Sequence, residues 1–590
     1  MESDSPPTPR KTVTAQPERL STIETRIDLI QALCDAAQLE HGLCCAYLFA
    51  ALSLKRSSEE GVPQVKLAEL RNWESVLLLI SRQEMEHLGI VSNLLTAVGG
   101  MPYLQNPVFP VKADRFGELP ELPLERFSKE TIQRLLKFEK PEWVHLRDVI
   151  LERVRLAKNY DEALSIVRKQ ICAEMEWAAG DLWVPDGDTF VPVLRVTGEL
   201  KVSYDSKAGK DIWSRWQTPH PPTGQEFNAS QNADSNIVNT CVEIPTYRGT
   251  ELTCVWRFFY ETFRSFDEDD SLAQSIELLL TDPRLNSALD GSANRPRPAV
   301  AAVRLSTPEF RYATIGGFYR QIRKGFLRMC FQGHKPTGYG LFTGFQTGNP
   351  DIGISDRNVH DIDLATVSGL DSALAAIEQI IETGEASLQK HEDSHYLRLL
   401  KLQKDVEAAT RQSVTFEPAR EVVTNPVTVA RVGCTLLTHP DAVSVAEIFD
   451  AVYEISLQMI ARFFAFPDDK VLKVMAFGPL MTMAMRPLAE MLGQLNAGDD
   501  PKQKAGPPFQ SPARDILHPH KIAAWTVFGE RLQQIATRCS EVEASLKPEH
   551  KEAGQRLTFI GKNINYISSR LTTAAAEAKK GGAPAPVAGN

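Results

Sequence analysis

The sequence lacks the long apolar runs that a membrane-spanning helix needs. Its longest run, around Val76–Ile80, falls far short of the roughly 20 residues that cross a bilayer. Residues 1–20 are polar and rich in Pro, Ser and Thr, so they lack the apolar core of a secretory signal. We therefore expect a cytoplasmic protein with no membrane partner and a disordered leader at residues 1–20.

Paired cysteines and clustered positive charge are also missing. The nine cysteines include no Cys-x-x-Cys pair, and an odd number does not suit a complete disulfide framework. The net charge of −10 comes from 65 basic and 75 acidic residues, without the basic patch of a nucleic-acid-binding protein. We expect reduced thiols and no nucleic-acid partner.

What the sequence does have is helical periodicity. With 590 residues and 43% hydrophobic composition, the chain can bury a large core. Apolar residues recur at three- and four-residue spacing over long stretches without internal proline, which favours a mainly α fold. The predicted helices cover residues 23–55, 66–98, 309–329, 369–384, 391–412, 442–465, 469–496 and 520–571, and short helices are predicted around 128–180.

A change of pattern indicates several domains. Between Trp183 and Cys254 apolar and polar residues alternate between turns, which predicts a small β-rich insertion. The predicted order is a disordered leader (1–20), the first half of a helical bundle (21–145), a mixed α and β insertion (146–305), the second half of the bundle (306–415), a C-terminal helical region (416–571) and a disordered tail (572–590).

Two of the predicted helices carry ionisable residues on otherwise apolar faces. In the first, Glu40 lies in a stripe with Ala37, Cys44 and Tyr47. In the second, the stripe holds the pair Glu84 and His87. Burying an unpaired carboxylate costs several kcal/mol, so such residues should be protonated, paired or bound to a metal.

The spacing of Glu84 and His87 favours a metal. A Glu-x-x-His sequence places both side chains on one face of a helix, and ferritin-like di-iron bundles use two such pairs with one Glu from each of two further helices. A second pair occurs at Glu392 and His395. Each pair alone also fits an ordinary solvated helix surface. Glu86 could replace Glu84 if the register differs by two residues.

Several separated stretches, in the same order, resemble the iminophenyl-pyruvate dimer synthase family of violacein- and rebeccamycin-type bisindole biosynthesis. The resemblance covers most of residues 25–510, interrupted between about 145 and 305. The stretches that carry it are Ala37–His41, Tyr47–Lys55, Gln83–Leu88, Asn93–Leu95, Gly99–Pro102, Thr314–Tyr319, Glu382–Glu385, Ser394–Arg398, Arg486–Glu490 and Ala505–Phe509.

This resemblance implies a ferritin-like four-helix bundle whose residues bind iron, as one or two ions. The implied metal ligands are Glu40, Glu84, His87, His395 and one or both of Glu385 and Glu392. One position departs from the family pattern, because Gly317 stands where the third helix is expected to carry a Glu. Three consequences are open. The site could be mononuclear or asymmetric, Glu385 or an acid of the insertion such as Glu174 or Glu176 could substitute, or the chain could have lost metal chemistry.

The resemblance also implies a function. We expect an iron-dependent oxidase or oxygenase that uses O₂ or peroxide on a small amino-acid-derived substrate in specialised metabolism, with imine oxidative coupling as the family's reaction. Tyr47 and Tyr319 are the candidate catalytic residues, as hydrogen-bond donors to a ligand carboxylate or as electron relays, with packing alone as the alternative. The rival hypothesis is a metal-silent or haem-associated scaffold. A homo-oligomer and a complex with a pathway enzyme both stay open.

Overall fold

A computed structural model describes residues 23, 25–141 except 106 and 113–118, six short strands between 183 and 253, 312–331, 341–342, 367–385, 394–412, 416–466, 469, 472–511 and 517–581. The predicted leader at 1–20, the acidic residues Glu174 and Glu176 and the candidate ligand Glu392 lie outside these residues.

Helix α1, Arg26–Ser53, begins at a reciprocal cap. The Thr25 hydroxyl accepts a hydrogen bond from the backbone of Asp28, and the Asp28 carboxylate accepts one from the backbone of Thr25, so two otherwise unpaired amide groups are satisfied. From Ala36 onward nearly every residue of α1 is buried. A helix buried on all sides is a central element of a fold.

Helix α2, Leu67–Ala97, packs antiparallel to α1. Two contacts give the direction of α2. Arg26, at the start of α1, donates to the carbonyl of Val98 just after α2, and Cys44, later in α1, contacts Ser81, earlier in α2. The two helices therefore run in opposite directions. The chain leaves α2 through Gly99, whose φ of 88° is left-handed, and such a glycine is a common helix terminator. The sequence predicted this end of the helix.

Four further helices surround this pair. They are α3, Lys129–Phe138; α4, Ile315–Phe331; α5, Leu370–Glu385; and α6, His395–Gln412. Helix α4 packs on α1 and α5, α5 and α6 pack on α2, and α3 packs on α6. Helix α3 begins at Ser128, whose hydroxyl accepts from the amide of Thr131 at 3.1 Å. Elements far apart in the sequence therefore meet around α1 and α2.

The described strands are short. Between Trp183 and Thr253 three antiparallel pairs are formed by β1 (Trp183–Asp186) with β2 (Thr189–Pro192), β3 (Arg195–Thr197) with β4 (Lys201–Ser203), and β5 (Val242–Thr246) with β6 (Gly249–Thr253). They lie within the predicted β-rich insertion. A parallel pair, β7 (Pro426–Val427) with β8 (Thr435–Leu436), precedes the C-terminal helices.

The C-terminal region begins with α7, Pro440–Ala465, which is followed by a helical stretch, here α8. Helix α8 consists of π-helical turns at Lys473–Phe477 and Met481–Met485 and α-helical turns at Gly478–Leu480 and Arg486–Leu492. A proline lies two residues after the end of each π-helical turn. Pro479 follows the first turn and Pro487 follows the second. Proline has no amide donor and its ring crowds the carbonyl four residues earlier, so the helix widens locally.

The last two helices form an antiparallel pair, α9 (Lys521–Ser545) and α10 (Lys551–Gly581). The prediction of one helix over 520–571 is wrong, because Pro548 interrupts it and the residue before a proline avoids helical geometry. The predicted disordered tail from Thr572 also begins too early. Helix α10 continues to Gly581 through an alanine-rich stretch that buries Ala575, and alanine is the strongest helix former.

Among the described residues, no helix combines the length and the apolarity that crossing a bilayer requires.

A buried ion pair holds the end of α7 against α9. The Arg462 Nε donates to an oxygen of Asp469 at 2.7 Å, and both side chains are fully buried. The indole of Trp525, on α9, donates to the same carboxylate at 3.0 Å. Removing one partner of a buried pair leaves the other charge without compensation in a medium of low polarity.

We expect Arg462→Ala to lower the free energy of unfolding by about 3–5 kcal/mol, because Asp469 stays buried without its cation. Chemical denaturation measures this change. The matched control is Arg538→Ala, which removes an exposed pair with Glu541 and should cost about 0–1 kcal/mol. Equal losses in the two variants would contradict the role of this ion pair.

Candidate metal centre

Five ionisable side chains from distant parts of the chain meet in the core next to α1 and α2. Glu40 lies on α1, Glu84 and His87 lie on α2, Glu139 is the residue that ends α3, and His395 begins α6. All five are buried, with exposed fractions of 4% or less. The helices therefore bring three carboxyl groups and two imidazoles together where water does not reach them.

Glu84 lies at the centre of this cluster. One of its oxygens is 3.2 Å from Nδ1 of His87, and the other is 3.1 Å from Nδ1 of His395. The two imidazole rings lie 5.5 Å apart between centroids. A carboxylate whose two oxygens face two separate imidazoles is placed to bridge two cations.

Each imidazole also faces a second carboxyl group. Nδ1 of His87 is 3.4 Å from Glu40, and Nδ1 of His395 is 3.4 Å from Glu139. Two overlapping triads result, Glu40–Glu84–His87 and Glu84–Glu139–His395, and within each triad the candidate ligand atoms lie within 4.8 Å of one another. Each triad offers two carboxylate oxygens and one imidazole nitrogen.

Several polar atoms of the cluster are not satisfied by the residues that the structure describes. Nε2 of His87 and both ring nitrogens of His395 are buried without a hydrogen-bond partner there. Nδ1 of His395 thus lies close to Glu84 without the geometry of a hydrogen bond. Buried polar atoms normally have partners. Carboxylate oxygen and imidazole nitrogen are the donors that iron accepts in ferritin-like bundles, so the residues present fit a metal.

Two tyrosines support the outer carboxyl groups. The Tyr47 hydroxyl donates to Glu139 at 2.7 Å, and the Tyr319 hydroxyl, on α4, donates to Glu40 at 2.5 Å. Burial and then the nearby carboxylates raise the pKa of both tyrosines well above the usual value, so both remain donors. These are the two residues that the sequence singled out as catalytic candidates, and each contacts a carboxyl group of the cluster.

Without a metal, protons balance the charge of the cluster. Burial, and after it the neighbouring Glu84, raise the pKa of Glu40 to about 8. Burial opposes the charging of both imidazoles, but Glu40 and Glu84 raise the pKa of His87 to about 10, and Glu139 and Glu84 raise that of His395 to about 9. Burial and Glu139 act to raise the pKa of Glu84, but the two imidazoles hold it below its usual value.

The structure brings together four of the six predicted ligands, namely Glu40, Glu84, His87 and His395. Glu385 ends α5, but its side chain, like the whole of Glu392, lies outside what the structure describes. Glu86 does not replace Glu84, because its side chain is 16% exposed and lies 3.8 Å from Arg82 on the same helix.

Glu139 was not among the ligands predicted from the sequence. Gly317 was expected to leave the third carboxylate position empty, but a third carboxylate comes from the end of α3 rather than from α4. Glu139 lies in a charged stretch beside Lys140 and Pro141, which suggests a solvated helix end. The signal that could have found it is its spacing of four residues from Leu135, which is buried, because this spacing places both on one face.

A family model of ferritin-like proteins matches residues 33–174 and 292–404. These two ranges include Glu40, Glu84, His87, Glu139 and His395. The chain contains a ferritin-like domain. The mainly α, ferritin-like fold expected from the sequence is confirmed, and the interruption between the matched ranges includes the six strands.

Two curated proteins resemble this chain over less than half of its length, at modest identity. One is the 2-imino-3-(indol-3-yl)propanoate dimerase of Chromobacterium violaceum, 27% identical over 259 residues, which cover 42% of this chain and 25% of that protein. The other is the dichlorochromopyrrolate synthase of Lentzea aerocolonigenes, 28% identical over 304 residues, which cover 47% of this chain and 28% of that protein. The chain thus spans about a quarter of the length of these relatives. No solved structure matches.

The protonation of the cluster predicts how the stability of metal-free protein depends on pH. The pKa values of His87, His395 and Glu40 are higher in the folded chain than their ordinary values, which apply in the unfolded chain. The folded chain therefore binds these protons more tightly. Their contribution to stability is complete at low pH and is lost as pH rises through these raised pKa values. We expect the melting temperature of chelator-treated protein to fall between about pH 4.5 and pH 10, through Glu40 alone at first and through the two imidazoles as well above about pH 6.5.

The control for this experiment is His520→Gln, since His520 is exposed and far from the cluster in sequence. It should keep the pH dependence of the melting temperature, whereas His87→Gln should flatten it. A melting temperature that rises with pH over this range would contradict the proposed charge balance.

Proposed function

We propose that the ferritin-like domain binds one or two iron ions and oxidises a small amino-acid-derived substrate, with O₂ or peroxide as the co-substrate. The observation that supports this most strongly is the pair of overlapping triads that share Glu84. Hard oxygen ligands with one imidazole per triad suit iron and leave coordination positions open. When bound, iron would supply the redox chemistry that links the substrate to the oxidant.

The residues of the chain supply the binding and the surroundings. Glu40, Glu84 and His87 would hold one ion, and Glu84, Glu139 and His395 would hold a second. Tyr47 and Tyr319 orient the outer carboxyl groups, because the hydroxyl of each donates a hydrogen bond to one of them. The burial of the cluster excludes water, which strengthens electrostatic interactions and limits side reactions.

The similarity to the dimerase and the synthase favours a biosynthetic enzyme, and the name of the dimerase suggests an aromatic imino acid as substrate. In the oxidative coupling of two such imines, one C–C bond forms and two C–H bonds break. Two electrons and two protons leave the substrate, and O₂ takes them up as hydrogen peroxide. This reaction is a proposal for this chain, because it spans only about a quarter of either relative.

The alternative function is a metal-silent or haem-associated scaffold. Gly317 was the sequence feature that favoured it, since it removes a carboxylate from α4. Glu139 provides a third carboxyl group to the cluster, so this argument for a silent scaffold no longer applies. The iron oxidase is therefore the function that the geometry supports best.

Metal content tests the assignment of the triads. We expect protein purified without oxygen and loaded with iron to retain about two ions per chain, and Glu139→Gln to lose about half of them, because it removes one ligand of the second triad. Glu130→Gln is the matched control on α3, since Glu130 is exposed. Folded wild-type protein that retains no iron or manganese above trace would remove the proposal.

Oxygen consumption tests the reaction. We expect the iron-loaded protein to consume O₂ when 2-imino-3-(indol-3-yl)propanoate is supplied, and Glu84→Gln to reduce the rate by at least about a hundredfold, because it removes the ligand shared by both triads. The oxygen-electrode rate and the peroxide yield measure this. Glu86→Gln is the control and should retain the rate. Full activity in Glu84→Gln would favour the scaffold hypothesis.

A further inference from the structure

A further group of metal-ligating side chains lies in the C-terminal helical region. One ring nitrogen of His439, one ring nitrogen of His550 and one carboxylate oxygen of Asp441 lie within 4.8 Å of one another. We call these three residues the C-terminal triad. The ranges matched by the ferritin-like family model end at residue 404, so the C-terminal triad lies outside the ferritin-like domain.

The C-terminal triad is also separate from the cluster around Glu84. Asp441 lies in the first turn of α7. Tyr453 lies about 18 Å further along the same helix, and its hydroxyl contacts His41, the residue after Glu40. A metal ion at the C-terminal triad would therefore share no ligand with the ferritin-like domain.

The backbone around both imidazoles is held in place. His439 precedes Pro440, the first residue of α7, and its backbone is extended, with φ of −71° and ψ of 126°, as a residue before a proline prefers. Its amide donates to the carbonyl of Ala497 at 3.1 Å. His550 ends the short helical turn Pro548–His550, which connects α9 to α10. Such fixed supports place ligand side chains before an ion binds.

Asp441 joins the two sides of the C-terminal triad. Its Oδ2 accepts a hydrogen bond from Nδ1 of His550 at 2.6 Å and another from the backbone amide of Lys547 at 3.2 Å. The rings of His439 and His550 lie 5.0 Å apart between centroids, with their planes inclined at 74°. One imidazole is enough to hold this carboxylate. The second imidazole adds the third ligand atom that a zinc site with one open position needs.

The charges around the C-terminal triad permit a cation. The start of α7 carries a partial positive charge, which alone would oppose one. The end of α9, at Ser545, carries a partial negative charge, and the contact between Lys547 and Asp441 places that end close by. The two helix ends offset one another, so the full negative charge of Asp441 decides the sign.

The C-terminal triad lies just below the protein surface. His439 and Asp441 expose 8% and 5% of their surface, and the side chain of His550 exposes 10%. This partial exposure allows an ion to enter from solvent. The same burial strengthens the attraction between an ion and the carboxylate relative to water.

The donor set indicates which metal fits. Calcium and magnesium prefer oxygen ligands throughout, whereas imidazole suits transition metals. Zinc accepts two imidazoles and a carboxylate with water as the fourth ligand, and it binds such sites more tightly than iron(II) does. Zinc–ligand distances of about 2.0–2.2 Å place tetrahedral ligand atoms roughly 3.4 Å apart. Atoms that already lie within 4.8 Å of one another therefore need only small side-chain movements.

We propose that His439, Asp441 and His550 bind one zinc ion, which links the start of α7 to the connection between α9 and α10. The proposal does not rest on the proposed function, since its ligands lie outside the ferritin-like domain. Asp441 and His550 are 109 residues apart in the sequence and meet only in the folded chain. The ion therefore stabilises the folded C-terminal region.

The zinc content of chelator-treated full-length protein, after dialysis against zinc sulfate, tests the proposal by atomic emission spectrometry. The parent protein is Glu84→Gln, which lacks the ligand shared by the two triads of the ferritin-like domain. Adding His439→Gln should remove about one zinc ion per chain, because it deletes one ligand atom. It leaves the hydrogen bond between His550 and Asp441 in place, so a purely structural role of that pair predicts no loss.

The matched control adds His520→Gln to the same parent. His520 is exposed and is not part of the C-terminal triad, so the zinc content should not change. If Glu84→Gln does not fold, wild type replaces it as the parent, and the expected difference of about one ion is the same. If His439→Gln does not fold, His550→Gln takes its place.

Thermal unfolding gives a second measurement. Zinc should raise the melting temperature of the parent, and the zinc concentration needed for half of this rise should increase at least about tenfold with His439→Gln, as expected when a ligand is lost. The proposal is overturned if the parent and its His439→Gln variant retain equal zinc, or if His520→Gln loses as much zinc as His439→Gln does.

These results are separable from the test of the proposed function. Zinc at the C-terminal triad of a protein that takes up no iron would support this site and reject the oxidase. Iron uptake by the ferritin-like domain, with zinc content insensitive to His439→Gln, would reject this site and leave the oxidase in place.

Discussion

The structure depends on one electrostatic constraint: three carboxyl groups and two imidazoles share a buried volume next to α1 and α2. Ionised carboxylates cannot remain unpaired in such a place, so protons or metal ions must balance them. Protons do so in the metal-free chain, through the raised pKa values of His87, His395 and Glu40. A metal would replace those protons, and its affinity would therefore depend on pH.

Part of this cluster could be predicted because its residues interrupt regular apolar patterns. Glu40 and the pair Glu84 and His87 lie inside long helices whose other inward positions are apolar, so burial followed from periodicity alone. His395 was less evident, since it begins α6 directly after a charged stretch, and its assignment needed the resemblance to a known family. Tyr47 was found in the stripe of Glu40, and Tyr319 was found in a stretch that resembles the family, but the hydrogen-bond partner of neither was predicted.

Glu139 shows what a one-dimensional pattern does not contain. It follows a helix of only ten residues, and its neighbour Lys140 is the kind of residue that marks a solvated end. Its side chain is buried because α3 packs against α6. Similarly, the break at Pro548 could be predicted from a single residue. The continuation of α10 to Gly581 could not, because it depends on the burial of Ala575 and on the packing of α10 against α9.

Two environments of opposite polarity can lie side by side here because of helix geometry. Successive residues on an α-helix point about 100° apart, so Glu40 and His41, or Glu84 and Met85, face different surroundings. One face of the α1–α2 pair collects acids and imidazoles, and the next meets α7 and α8. Since the apolar side chains of α7 and α8 pack against this pair, they help to exclude water from the neighbouring cluster, which raises the free-energy cost of leaving the cluster without cations. The packing of these helices therefore favours a charged centre balanced by bound protons or metal.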